Sequence, residues 1–155
     1  MSTAYQLSIN LIERLHRQFL DVLKIELERA NVFDVNNVQS LILYNIGTNE
    51  LTVGELTDRG YYLGSNVSYN VKKMVENGYL VQERSIHDKR SVRVKLSDKG
   101  LALYKAMAHL YKLHETSLAA TDLSDHKLAQ LNETLKELEK FWSSQAVGGQ
   151  LKIGA

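Results

Sequence analysis

The sequence predicts a mainly α-helical fold carrying one small β-hairpin, and three of its features say so. Proline is absent and glycine occurs only nine times in 155 residues, so long helices are permitted throughout. Apolar residues recur at intervals of three and four along most of the chain, the spacing that lays them on one helix face. Between residues 79 and 96 the period drops to two, the alternation of a half-buried strand.

Taken in order, the first helix lies between Tyr5 and Arg29. Ile12, Leu15, Phe19, Val22 and Leu23 recur at helical spacing, and Leu11, Leu20 and Leu27 widen the stripe, so this helix must bury against more than one neighbour. Asp34 can cap a second helix bearing Val38, Leu41, Ile42 and Ile46, which Gly47 stops. A short extended piece surrounds Leu51. Thr52-x-x-Glu55 has the form of a capping box, in which hydroxyl and carboxylate each satisfy an orphan backbone donor. It opens a short third helix over Val53 to Arg59 that Gly60 can break. A fourth helix follows Gly64, with Val67, Val71, Met74 and Val75 on its buried side and Gly78 as a left-handed stop. Tyr79 to Arg84 and Ser91 to Leu96 read as strands, joined by the polar tip Ser85 to Arg90. Ser97 caps a long fifth helix carrying Leu101, Tyr104, Met107, Ala108, Tyr111 and Leu118. Ser124, followed by Asp125, starts a sixth. The glycine-rich tail from Ala146 to Ala155 should fray.

Composition narrows the function. With 44% hydrophobic and 24% charged residues the chain is an ordinary globular protein. No apolar run reaches the roughly 18 residues of a membrane span, and the N-terminus does not read as a secretory signal. The absence of cysteine removes disulfides and thiolate metal sites and fits a reducing compartment, so a cytoplasmic location is expected. The net charge is +1, yet Gly64 to Lys99 holds eight basic against four acidic residues. A locally basic middle in a slightly acidic chain suits a phosphate-facing module, although a solvated face with chance clustering would look the same. No phosphate loop, nucleophile elbow or carboxylate pair points to an enzyme, and no cofactor is expected. His16, His87, His109, His114 and His126 contain no H-E-x-x-H pairing, so no metal site is expected, a metal-responsive regulator remaining an alternative.

Short helices, a turn, a longer helix and a charged hairpin make a winged helix-turn-helix. In such a module one helix presents its outer face to base edges in the major groove while the hairpin reaches the backbone or minor groove. With 100° per residue, Ser65, Asn66, Tyr69, Lys72 and Lys73 collect opposite Val67 and Val71, with Ser68 beside them. None is aliphatic, and together they form a reading head. Arg84, His87, Asp88, Lys89 and Arg90 form the candidate wing contacts. Lys72, Lys73, Arg84 and Lys89 suit phosphates, which position a protein without selecting sequence. A winged helix used for protein contacts is the other alternative, and its binding would depend only weakly on salt.

Asp88-Lys89-Arg90, five residues, then Leu96-Ser97-Asp98-Lys99-Gly100 resembles the wing motif of the MarR family of regulators, D-x-R followed after five residues by L-[TS]-x-x-G. Val67 to Met74, running into Glu76-Asn77-Gly78-Tyr79-Leu80-Val81, is similar to that family's recognition helix and its exit, and the six-helix order matches as well. The resemblance implies a homodimer on double-stranded, pseudo-palindromic operator DNA, usually a repressor. It places Arg90 in the minor groove, with Asp88 holding a neighbouring basic side chain; the plain alternative is a solvated hairpin ion pair. It also implies a small, often aromatic and acidic effector between winged and dimerisation lobes, for which Arg17, Tyr44 and Tyr104 are chemically suited. One departure is Tyr69, where the family often has arginine: tyrosine cannot make the bidentate guanine contact. Tyr62 is expected in the core of the turn, and Tyr61 has no assigned role.

Leu128, Leu131, Leu135, Leu138 and Trp142 alternate by three and four residues, the period of a helix seam. Such a stripe is often intramolecular core, but beside a module that needs a two-fold partner it reads as a dimer seam. The expected organisation is a single domain over 1–155. Within it lie a winged core at 34–100, dimerisation helices at 5–30 and 97–145, and a flexible tail at 146–155.

Overall fold

The structure, a computed structural model, describes residues 1–60, 64–84 and 91–154, with the backbone alone for Gly60, Gly64 and Ser65. In chain order its elements are α1 (Ala4–Arg29), α2 (Asn37–Ile46), β1 (Leu51–Thr52), α3 (Val53–Gly60), α4 (Gly64–Glu76), β2 (Leu80–Arg84), β3 (Val92–Leu96), α5 (Asp98–Ala119) and α6 (Asp125–Gln145). They fall into two compact units, Met1–Ala108 and His109–Ala155, with α5 running from one into the other.

Local chemistry sets the ends of these helices. Asp34, expected to cap α2, does not do so. Asn36 is the cap: its side chain accepts from the Gln39 amide at 2.8 Å while Gln39 Oε1 accepts from the Asn36 amide at 3.0 Å. A reciprocal box needs an acceptor long enough to reach back from three residues on; Asn36 has Gln39 there, whereas Asp34 has the shorter Asn37. The box at α3 is present in a variant form. Thr52 Oγ1 accepts from the Glu55 amide at 3.1 Å, but the carboxylate takes the hydroxyl proton itself, at 3.2 Å, rather than a backbone donor. Helix α4 ends as the sequence requires. Gly78 has φ +83°, and Tyr79 N bonds back to Met74 O while Gly78 N bonds to Val75 O. That paired closure needs a left-handed residue, which glycine supplies without a Cβ clash. Ser124 caps α6 by accepting from Lys127 N.

The sheet has the order β1-β3-β2, antiparallel throughout. Leu51 lies opposite Val94 on one side of β3, while Leu80 and Arg84 lie opposite Leu96 and Val92 on the other. The short piece at Leu51 thus gives the hairpin a third strand and ties it to the helical core. Ile42, Leu43 and Ile46 of α2 meet Leu56 of α3, Val67 and Met74 of α4, and Val94 in a fully buried centre. Leu23 and Leu27 of α1 and Leu103 and Met107 of α5 are also buried, whereas Val75 is only half-buried. In the second unit no residue of α6 is buried. Among the described residues no helix is long and apolar enough to cross a membrane.

Candidate nucleic-acid interface

Helix α4 is held from three sides, by α2, α3 and β2, and what it leaves outward is the expected reading face. Val67, Val71 and Met74 are the buried side; Asn66, Ser68, Tyr69, Lys72 and Lys73 are exposed. Tyr69 stands 61% exposed, its side chain open to solvent. Lys73 is four residues on, its Nζ 5.9 Å from the Tyr69 ring centroid and 3.5 Å from Glu76. Ser65 lies in the first turn of α4, but its side chain is outside the described residues.

One member of the site was not singled out by sequence. Gln39, almost wholly buried, donates from Nε2 to Asn70 Oδ1 at 3.1 Å. With its Oε1 already serving Asn36, this amide couples the cap of α2 to the middle of α4, one residue from Tyr69. Asn70 falls between the two faces on the helical wheel, so no periodicity marks it. Only the Asn36-x-x-Gln39 box was a usable signal.

Between α4 and the sheet runs a cleft of about 460 Å³ lined by Val53, Ser68, Val71, Gln82, Arg84 and Val92. Arg84 closes β2 and is exposed there. His87, Asp88, Lys89 and Arg90, along with Tyr61 and Tyr62 of the turn, lie outside the described residues. On the other face of the sheet Lys95 meets Glu83 at 2.9 Å. The Lys95 hydrogen bond, and after it one with Glu50, lowers the Glu83 pKa, and the same pair raises that of Lys95. Lys99 is likewise matched, by Asp34 at 3.1 Å. Lys95 and Lys99 are thus matched, whereas among the described residues Lys72 and Arg84 beside α4, and Arg93 on the outer face of the sheet, are left without a carboxylate.

Of the residues suited to an effector, Tyr44 and Tyr104 are brought together: their rings stack with centroids 5.0 Å apart at 28°. Arg17 is exposed and lies 3.6 Å from Glu13. Among the described residues no three His, Asp or Glu side chains are placed to hold a metal ion. In the second unit Leu131, Leu135 and Trp142 are exposed, and Leu128 and Leu138 are half-buried.

Residues 33–91 match the MarR family. The chain is 38% identical over 135 residues to the exopolysaccharide II synthesis transcriptional activator ExpG of Rhizobium meliloti, covering 87% of this chain and 70% of the relative. Among solved structures, the fold resembles Streptococcus pneumoniae FabT in complex with DNA, with a TM-score of 0.73 at 18% identity, over 90% of this chain and 98% of that one. It also resembles the Staphylococcus aureus MepR–DNA complex, with a TM-score of 0.73 at 19% identity, over 91% and 99%. At those identities the structural likeness is one of fold.

Proposed function

The chain belongs to the MarR family of transcriptional regulators, and on that footing we propose that it binds a pseudo-palindromic operator as a homodimer. Helix α4 would enter the major groove and the β2–β3 wing would lie over the backbone and minor groove. The observation that carries the reading is the division of α4 into a fully buried aliphatic side and an outward polar and cationic side. Lys72, Lys73, Arg84 and Lys89 neutralise phosphates in this scheme, Arg90 enters the minor groove, and Asn66, Ser68 and Tyr69 select bases. Ser65, His87 and Asp88 support the two contact regions. FabT and MepR, whose fold the chain shares, were both solved on DNA, and DNA as partner would place this protein in the cytoplasm.

The dimer reading is supported by the apolar surface that each unit leaves exposed. The stripe Leu128, Leu131, Leu135, Leu138 and Trp142 on α6 has no buried member, and α1 exposes Leu7, Leu11, Leu15 and Ile25. A second copy covering these faces would leave segment 34–100 as the reading core, 5–30 and 97–145 as dimerisation helices and 146–155 as a flexible tail. A small aromatic acid received near Tyr44 and Tyr104 would release DNA by favouring a wider separation of the two reading heads. A thermal-shift screen with phenolic acids tests this part, and no stabilisation with undiminished operator binding would remove it.

Repression is the reading taken from the family. Activation is the second reading, favoured by the name of the 38% identical relative, an activator. A reporter driven by the selected operator, with and without the protein, separates the two. The decisive experiment for the whole is binding to random-sequence duplex from about 50 to 300 mM salt, followed by selection of preferred sites. A steep salt dependence with a selected inverted repeat is the expected result; no binding at the lowest salt would overturn the reading.

A further inference from the structure

The exit of α4 is gripped by residues far apart in the chain. Asp34, from the α1–α2 connection, accepts the Tyr79 hydroxyl at 2.6 Å on Oδ1 and Lys99 Nζ at 3.1 Å on Oδ2. Lys99, in the first turn of α5, also donates to the Asn77 carbonyl at 3.0 Å and lies 4.3 Å from the centroid of the Tyr79 ring. Asn77 Nδ2 returns a bond to the Asp34 carbonyl at 3.0 Å. On the α5 side, Ser97 Oγ donates to the Gly78 carbonyl at 2.6 Å and accepts from the Gly100 amide at 3.1 Å. Gly100 itself packs so closely that a Cβ there would collide with the Tyr79 carbonyl oxygen.

We propose that Asp34 and Lys99 are positioning residues for DNA reading, holding the exit of α4 so that its outward face keeps one orientation to the groove. The inference rests on the reading of α4 as the recognition helix. The ion pair lies at the surface, its two side chains 43% and 52% exposed, and exposed pairs contribute little to stability. Yet one carboxylate collects a phenol and an ammonium, and that ammonium closes a ring through Asn77. Such convergence at a point of small energetic return fixes direction. Leverage supplies the need. A helix of 13 residues is about 20 Å long, so a tilt of about 5° at its exit moves the far end by about 1.7 Å. Recognition contacts tolerate only about 0.5 Å.

Asp34→Asn gives the cleanest test, because electrostatics and positioning predict opposite signs. Removing a negative charge strengthens binding to all DNA if charge alone matters. Loosening the exit weakens binding to the chosen sequence alone. Affinities of wild type, Asp34→Asn, Lys99→Met and Lys99→Arg are measured for the duplex that wild type selects from a random pool and for random duplex of equal length. The expected result is a fall of about fivefold or more in the selected-to-random ratio for Asp34→Asn and Lys99→Met, the equivalent of one lost base contact. Lys99→Arg should keep the ratio, and melting curves should show all three variants folded. Ratios equal to wild type, or affinities for both duplexes rising together in Asp34→Asn, overturn the inference while leaving the regulator reading intact. A wild type that selects no sequence overturns both. Tyr79→Phe, which keeps the ring and removes one bond to Asp34, stands in should Asp34→Asn fail to fold, and a fall in the ratio is again the expected result.

Discussion

Helices α4 and α6 carry apolar stripes of similar regularity in the sequence, and the fold treats them oppositely. In α4, Val67, Val71 and Met74 are 0–1% exposed; in α6, Leu131, Leu135 and Trp142 keep 37–47% of their surface. The first stripe is closed by neighbours within its own unit, namely α2, α3 and β2. The second belongs to a unit made only of α6 and the end of α5, too little chain to enclose it. Periodicity therefore specifies that a helix has a face to bury, while the number of neighbouring elements decides whether the chain itself can bury it. That difference also separates stability from association: damage to α4 should be felt in the single chain, and damage to α6 in the proposed pairing of two chains.

The largest effect belongs to the enclosed stripe. Met74→Ala removes a fully buried side chain from a site closed on all sides and should cost about 2–5 kcal/mol in urea unfolding, independent of protein concentration. A loss well under 1 kcal/mol would show that α4 is not held as its burial implies. Gly100→Ala comes next. Its Cβ would meet backbone, the Tyr79 carbonyl, rather than a movable side chain, so α5 must shift at its first turn. Overpacking of that kind costs about 1–3 kcal/mol, and the same unfolding experiment should show it. A neutral result would mean that the junction after α4 has slack, which would weaken the contrast with α6.

The exposed stripe should respond in a different observable. Leu131→Ala with Leu135→Ala leaves the single chain's core untouched, and the proposed dimer should dissociate more easily by about tenfold or more. Sedimentation at several concentrations reads this directly. If instead the double variant unfolds at lower urea with no dependence on concentration, the stripe is closed within one chain and the comparison fails.

Much of this was legible in the sequence because it depends on local chemistry. The stop at Gly78, the cap at Ser124 and the switch to period two each require particular residue types at short range. The outward face of α4 followed from the wheel alone. Asp34 shows where that reasoning ends. Its residue type suits a cap, but its partners are Tyr79 and Lys99, 45 and 65 residues away, and no local rule finds them. Gln39 is similar: its box with Asn36 is local, while its bond to Asn70 spans 31 residues. Tyr44 and Tyr104 were marked only as residue types suited to an effector, and nothing in their spacing showed that their rings stack.

The smallest expected effect sharpens the α4 side of the comparison. The Tyr79 hydrogen bond first, and then Lys99, hold the Asp34 carboxyl below its usual range against an opposing desolvation, while burial and the bond to Asp34 push the Tyr79 phenol up. A carboxyl depressed in the folded chain contributes stability above its unfolded value of about 3.9. That contribution drains away as the pH falls through the native value. At neutral pH it is fully present, and because Asp34 is partly open to solvent it is modest. Urea midpoints of wild type and Asp34→Asn should therefore differ slightly at pH 7 and converge as the pH is taken below about 4. A gap that stayed constant to pH 3 would mean that the folded chain does not favour ionised Asp34. The grip on the exit of α4 would then owe nothing to its charge.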